Sequence, residues 1–166
     1  FQTLVVRAPG ASTLPSSIID CGVHTPLPTA PPGPSLSSSI VGPRRGLVAQ
    51  GTTIHVQDLQ IQRCHSNQWS AIPTYRSYND DCYGGGVALS DGATGSFSNV
   101  IVSDCHASTG SGISLHTVTS FQFNNVFVEH CTSQHAGAVF SGGSEWIWNG
   151  GTLQQNIAQH SGGAYA

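Results

Sequence analysis

The most constraining feature of the sequence is a short motif that recurs four times in its C-terminal part. Each copy begins with a large apolar residue, passes through Asp, Asn or Gly, and then alternates apolar and polar side chains. The copies lie at 56–64, 97–105, 123–131 and 148–156, at intervals of 41, 26 and 25 residues. A regular interval of this size indicates a chain that lays down one structural unit repeatedly.

A second motif follows each copy and keeps the same interval. It begins with Gly and continues with alternating apolar and small residues, at 86–89, 112–115, 137–140 and 162–165. These copies are 26, 25 and 25 residues apart, so the 41-residue interval is an ordinary repeat that carries an insertion at 67–83.

Both motifs have the period of two that is typical of β-strands, and no segment keeps the apolar stripe of an amphipathic helix. The residues predicted to face inward are Leu59, Ile61, Val100, Val102, Val126, Val128 and Leu153 in the first motif, and Val87, Leu89, Ile113, Leu115, Ala138 and Phe140 in the second. Asp, Asn and Gly at the bends tolerate positive φ. The pattern predicts an all-β fold, a right-handed parallel β-helix whose coils of about 25 residues stack about 4.8 Å apart.

The motifs also resemble a known repeat. Gly162-Gly163-Ala164-Tyr165, Ala136-Gly137-Ala138-Val139 and Phe97-Ser98-Asn99 are similar to the repeat of chlamydial polymorphic outer membrane proteins, which is also found in large surface proteins of bacteria, algae and other protists. The resemblance covers roughly residues 46–166. It implies a β-helical scaffold at a cell surface and no particular chemistry, because the family is defined by its architecture.

The sequence divides into two parts. Residues 1–52 are less regular and are interpreted as an N-terminal part of the same solenoid, with a Pro-rich insertion at 24–43 that is either a tolerated excursion or a glycosylated, partner-binding loop. Residues 53–166 form the stacked coils. The last motif stops in mid-coil with no polar cap, which predicts that the chain continues beyond residue 166 or stacks end-on against another copy.

Composition limits the classes of partner. Charged residues make up 8% of the chain and the net charge is −3, so there is no basic surface for nucleic acid. No apolar stretch is long enough to span a membrane. Five cysteines without a Cys-x-x-Cys pair favour a secreted, partly disulfide-bonded protein, located outside the cell or at its surface, over a reduced cytosolic one.

Three cysteines end successive copies of the first motif. Cys64, Cys105 and Cys131 therefore occupy equivalent positions, and adjacent coils bring Cα atoms within the range that a disulfide requires. Two interpretations stay open: a disulfide between adjacent coils, or a stack of reduced core cysteines. Cys82 ends the insertion, and a bond to Cys64 would close that loop.

Other side chains form ladders of equivalent positions. His135 with His160, and His65 with His106, are predicted to stack as polar turns rather than to bind metal, and no cofactor is expected. Arg63 and Asp104 are predicted to pair across coils. An outward ladder of Gln60, Ile101, Phe127 and Thr152 includes an exposed apolar pair, Ile101 and Phe127, to be covered either by this chain or by a partner.

Two functions from different classes remain after these arguments. The predicted one is a non-enzymatic scaffold segment of a large extracellular or cell-surface protein, in an adhesive or fibre-forming appendage, whose partners are other chains, further coils or glycans. The alternative is a carbohydrate-active β-helix enzyme, a polysaccharide lyase or hydrolase, that uses Arg76, Asp80 and Asp81 of the insertion. Neighbouring carboxylates in an extended chain point apart, which argues against that alternative.

Overall fold

The computed structural model describes residues 3–7, 17–22, 45–66, 83–160 and 162, and within these ranges the chain forms strands and no helix. The strands are β1 (Thr3–Arg7), β2 (Ser17–Asp20), β3 (Leu47–Gln50), β4 (Thr53–Gln62), β5 (Val87–Ser90), β6 (Thr94–Ser103), β7 (His106–Ala107), β8 (Ile113–His116), β9 (Phe121–Glu129), β10 (Thr132–Ser133), β11 (Val139–Gly142), β12 (Trp146–Gln154) and β13 (Ile157–Ala158).

The strands form three sheets in which every registered pair is parallel. Sheet A has the order β1-β4-β6-β9-β12, with β2 also pairing with β4; sheet B is β13-β10-β7, and sheet C is β11-β8-β5-β3. From β6 onward the chain visits sheets A, B and C in rotation, and one such circuit is called a pass below. The predicted all-β class with parallel pairing is confirmed, and the connectivity is compatible with a β-helix.

The register of sheet A matches the alignment of the first motif. Val100 lies opposite Leu59 and Val126, and Val102 lies opposite Ile61 and Val128. All of these predicted inward side chains are almost completely buried. Because each strand stacks directly on the next, their burial is continuous from pass to pass, and each such side chain contributes roughly 1.5–3 kcal/mol.

The strands of sheet A begin before the motif does, and the added residues build an aromatic cluster. The rings of Phe97, Phe121 and Phe123 are fully buried, with centroids 5.0–5.7 Å apart. Trp148 stacks on Phe123 at 5.1 Å, and Trp146 meets it edge-on at 6.0 Å. The motif marked Phe97, Phe123 and Trp148, but Phe121 and Trp146 lie upstream of it and were missed.

The predicted bends with positive φ lie in the middle of the sheet A strands. Asp58, Asn99 and Asn125 have φ of 55°, 54° and 55°, and Gly150 takes the equivalent position with φ 79°. Asn and Asp enter this left-handed region more readily than other residues with a side chain. The bend leaves each side chain on the outer edge of its strand, next to its equivalents in the adjacent passes.

One predicted inward residue of sheet C is wrong. The second motif placed Ala138 and Phe140 inside, whereas the structure pairs Val139 with Ile113 and Phe140 with Ser114. Ala138 and Val139 are fully buried, but Phe140 is half-buried. The reason is the preceding register: Thr132 already lies opposite His106, 26 residues away, and the chain reaches sheet C without losing a residue. Matching Gly137 with Gly112 assumed an interval of 25.

Parts of residues 1–52 belong to the same sheets as the repeats. Strands β1 and β2 pair with the two halves of β4, on either side of Asp58, and β3 pairs with β5. The Pro-rich stretch 24–43 lies outside the described residues, as does the insertion at 67–83 apart from Tyr83, which forms a bridge with Thr109.

Candidate functional site

Four cysteines lie in neighbouring passes at the point where the chain leaves sheet A. We call Cys21, Cys64, Cys105 and Cys131 the cysteine column. Backbone hydrogen bonds connect successive members, from His106 N to the Cys64 carbonyl and from Thr132 N to the Cys105 carbonyl, both at 2.9 Å. The column is therefore part of the stacked parallel structure.

The first two members form a disulfide. The Cα atoms of Cys21 and Cys64 are 4.9 Å apart, and 43 residues separate them in sequence. The predicted bonds from Cys64 to Cys105 or to Cys82 are therefore wrong, because the sulfur of Cys64 is already bonded to Cys21. Cys21 follows β2, which pairs with β4 and so lies on the opposite side of it from Cys105. The sequence gave no signal for this pair, since the N-terminal part lacks the repeat.

The other two described members are reduced thiols with no exposed surface. The Cys105 thiol donates a hydrogen bond to the Ser103 carbonyl at 3.1 Å, and the Cys131 thiol donates to the Glu129 carbonyl at 3.3 Å. The neighbouring sulfur of Cys105, together with burial, raises the pKa of Cys131 well above its usual value. Cys131 therefore stays protonated at neutral pH. Cys82 lies outside the described residues.

Glycines at the start of the sheet C strands press against the column from the side. A Cβ at Gly86 would lie 2.4 Å from Val102 Cγ1 and 3.2 Å from the sulfur of Cys105. A Cβ at Gly112 would likewise lie 2.4 Å from Val128 Cγ1 and 3.4 Å from the sulfur of Cys131. The sheets approach so closely here that the thiols have no room beside them for a ligand.

Asn156 takes the place of cysteine in the fourth copy of the motif. Its side-chain oxygen accepts a hydrogen bond from Cys131 N at 2.9 Å, and its amide nitrogen donates to the Val128 carbonyl at 2.8 Å. The side chain satisfies two backbone groups of the preceding pass, which a thiol does poorly. Asn156 ends the column on this side.

A cluster of polar side chains surrounds Asp20, one residue before the column. The Arg63 guanidinium donates through Nε to Asp20 Oδ1 at 2.9 Å and through Nη2 to Oδ2. Gln62 and the Gly22 backbone N–H each donate to the same carboxylate at 2.9 Å. These bonds, Arg63 first, hold the pKa of Asp20 well below its usual range. The pairing of Arg63 with Asp104 was wrong: Asp104 adds only a weaker charge effect on the raised pKa of Arg63.

The outward ladder has the predicted register but not the predicted exposure. Ile101 lies opposite Gln60 and Phe127, and Phe127 lies opposite Thr152. Ile101 and Phe127 are half-buried, because each middle rung is flanked by the rungs on both sides of it. The large apolar side chains that are more than half exposed are Ile18, Val48, Ile147 and Ile157, none of which was predicted.

The histidine ladders are present. The rings of His135 and His160 stack with centroids 4.7 Å apart, as predicted, and His65 forms a bridge with His106. Within the described ranges no group of three or more His, Cys, Asp or Glu side chains is arranged to hold a metal ion. The same ranges contain no helix of the length and apolarity needed to cross a membrane.

The alternative enzyme residues Arg76, Asp80 and Asp81 lie outside the described residues. The described surface has a shallow groove of about 390 Å³ where β9 and β12 begin. Its lining includes Ser120, Gln122, Glu145 and Trp146, so it offers one carboxylate. Glycoside hydrolysis by an acid–base mechanism uses two.

Comparison with known proteins gives no relative: no protein-family model, curated protein or solved structure matches the chain. The resemblance to polymorphic outer membrane proteins therefore rests on the repeat motifs alone.

Proposed function

We propose that this chain is a non-enzymatic scaffold segment of a large extracellular or cell-surface protein, wound as a right-handed parallel β-helix. One observation carries the proposal: the chain passes through three parallel sheets in constant rotation and keeps one register from pass to pass. A chain that connects parallel strands in this way must circle a common axis. Right-handed crossovers account for about 98% of parallel connections, which sets the expected hand.

The interior supports a mechanical role. Its centre holds stacked Val, Ile, Leu and Phe side chains, and the described cysteine thiols lie among them with no space for a substrate. In a structure of this kind each pass is held mainly by its two neighbours, so length adds rigidity without requiring new long-range contacts. The repeat itself supplies an elongated, stiff body.

The disulfide supports an extracellular location. Disulfides persist in secreted and surface proteins and are rare in reducing compartments. The bond between Cys21 and Cys64 joins β2 to the stack at its N-terminal side. This is weak support on its own, and it agrees with the low charge and the polymorphic outer membrane protein-type repeat, which we propose as the family of this scaffold.

The C-terminal side of the described stack supports assembly with further coils or other chains. Strands β11, β12 and β13 are the last described strands of their sheets, and each offers unpaired backbone groups on one side. The side chains of Ile147 and Ile157 on these strands are 56% and 59% exposed. Open edges next to exposed apolar side chains favour pairing with another strand. The proposed setting is an adhesive or fibre-forming appendage.

Two measurements test this function. Antibodies against the purified chain should label intact, unpermeabilised cells of the source organism, and electron microscopy of the labelled material should show elongated structures. Labelling only after permeabilisation, or dispersed globular particles, would count against a surface scaffold. A matched serum against the heat-denatured chain controls for exposure of buried epitopes.

A third measurement separates the scaffold from the enzyme. The purified chain is incubated with polygalacturonate and other acidic polysaccharides, and reducing ends and unsaturated products are followed. No turnover is expected. Turnover that disappears in both Asp80→Ala and Asp81→Ala, with the strand signal in circular dichroism unchanged, would replace the scaffold by a carbohydrate-active enzyme.

A further inference from the structure

The cysteine column contains a bonded pair directly beside a reduced thiol. Cys64 has Cys21 on one side, at a Cα distance of 4.9 Å. On its other side lies Cys105, in the next strand of the parallel stack, with His106 N bonded to the Cys64 carbonyl at 2.9 Å. Adjacent parallel strands are about 4.8 Å apart, which is within the Cα range that disulfides use. Cys64 therefore has two neighbours with suitable spacing.

The sulfur atoms of Cys64 and Cys105 occupy equivalent places. The sulfur of Cys64 lies 3.0 Å from where a Cβ would be at Gly46, and the sulfur of Cys105 lies 3.2 Å from the same point at Gly86. Each faces the glycine that begins the adjacent sheet C strand. The two side chains therefore point in the same direction from successive passes, so their sulfurs are neighbours along the column.

We propose that the disulfide of Cys21 and Cys64 exchanges along this column, so that Cys64 also forms a bond with Cys105. The thiolate of Cys105 attacks the sulfur of Cys64 from the side opposite Cys21. The bond between Cys64 and Cys105 forms as the bond to Cys21 breaks, and Cys21 leaves with the electron pair and takes up the proton that Cys105 released. One disulfide is present before and after, so no oxidant or reductant takes part.

The arrangement favours this exchange over others within the column. Displacement at a disulfide sulfur needs the entering and leaving sulfurs on opposite sides, and the column places Cys105 and Cys21 on opposite sides of Cys64. Cys131 is one pass further from the disulfide, and its raised pKa leaves little thiolate. Cys21 is only half-buried, so the leaving thiol is at the accessible end of the column.

Exchange changes how the N-terminal strands are held. Before it, β2 is joined to the stack by a covalent bond; after it, β2 is held by its pairing with β4 and by the contacts of Asp20 with Arg63 and Gln62. The bond between Cys64 and Cys105 instead ties two passes that are already packed together. The exchange is thus a device that unfastens the N-terminal strands, and it does not depend on the proposed scaffold function.

Peptide mapping of the native chain tests the proposal, because the five arginines, two glutamates and the absence of lysine separate the cysteines. Cleavage after Arg and Glu places Cys21 in 8–44, Cys64 in 64–76, Cys105 in 77–129 and Cys131 in 130–145. A Cys82→Ser background makes Cys105 the only cysteine of its peptide. The folded protein is held at mildly alkaline pH, quenched in acid, alkylated under denaturing acidic conditions and digested.

The expected result is a linked product of 64–76 with 77–129 that grows with time, together with an equal amount of alkylated 8–44. In a Cys21→Ser, Cys82→Ser variant refolded in air, the same linked product should be the main disulfide. Adding Cys105→Ser should remove it in both backgrounds, whereas adding Cys131→Ser should leave it.

The proposal is overturned if 8–44 stays joined to 64–76 at every time point and no product contains 77–129. A product joining 64–76 to 130–145 in its place would also overturn it. If the Cys21→Ser variant loses the strand signal in circular dichroism, the time course in the Cys82→Ser background decides alone, because it leaves the whole column unchanged.

Discussion

The side-chain amide of Asn125 donates a hydrogen bond to the side-chain oxygen of Asn99 at 3.0 Å, across strands β9 and β6. Asn99 in turn donates to Asp58 in β4 at 2.9 Å. All three residues have positive φ, so the ladder runs along the bend that divides each sheet A strand. The same residues that permit the bend also connect it from pass to pass.

Replacing Asn99 separates these two contributions. Asn99→Ala removes two hydrogen bonds and places a Cβ residue without a local polar group in the left-handed region, and it should lower the free energy of unfolding by about 1–2 kcal/mol. Asn99→Gly removes the same bonds but relieves the backbone, so its loss should be smaller. Urea unfolding measures both. Equal losses in the two variants would contradict a role for the backbone conformation, and Thr152→Ala on the same face is the control.

The close approach at Gly112 predicts an overpacking effect with a specific rescue. Gly112→Ala brings a Cβ within 2.4 Å of Val128 Cγ1 and should cost about 1–3 kcal/mol. Gly142→Ala, in the next pass of sheet C, meets only side-chain atoms at 3.2 Å or more and should cost less. The cost of Gly112→Ala should also shrink in a Val128→Ala background. Additive losses in the double variant would show that the two sites do not touch.

Adjacent residues of β6 should respond in opposite ways. Val102 is fully buried and Ile101 is half-buried on the outer face. Val102→Ala should cost about 2–3 kcal/mol because it leaves a cavity between passes. Ile101→Ala should cost less than half as much, although it removes the larger volume. Thermal or urea unfolding provides the comparison, and the reverse order would mean that the inward face has been assigned wrongly.

The depressed pKa of Asp20 makes stability depend on acid. The carboxylate titrates below its ordinary value of 3.8 because Arg63, Gly22 and Gln62 bind its charged form. Its stabilising contribution is therefore complete above about pH 4 and is lost as the pH falls toward the folded-state pKa. Asp20→Asn removes the charge at every pH. The difference in unfolding free energy between wild type and this variant should be constant from pH 5 to pH 7 and should narrow below about pH 4.

A difference that stays constant down to about pH 2 would contradict this assignment. Because the pair of Asp20 and Arg63 is solvent-accessible, added salt should also narrow the difference at neutral pH.

Much of sheet A was predictable because its pattern is local and repeated. Alternation placed Val100 and Val102 inside, and the 26-residue interval paired them with Val126 and Val128. The stacking of His135 and His160 followed from the same arithmetic. Phe140 was misplaced because an interval of 25 and one of 26 look equally regular in sequence, while a one-residue difference reverses the face of a strand.

The cysteine column shows where such reasoning ends. Cys64, Cys105 and Cys131 were aligned by the repeat, but the partner of Cys64 is Cys21, which has no equivalent in it. Arg63 likewise binds Asp20 rather than the ladder residue Asp104. Both partners come from the irregular N-terminal part, and no periodicity indicates which strand they join.

The sequence by itself determined that this chain is all-β, which faces of its central strands are buried, and where equivalent residues of successive passes meet. It could do so because period-two alternation and a constant interval are properties of neighbouring residues and of their copies. The tertiary structure alone decided that Cys64 bonds to Cys21 and that Ile101 and Phe127 are shielded by their neighbours. Those outcomes depend on which strand packs against which in space, and the packing of β2 beside β4 leaves no periodic mark on the chain.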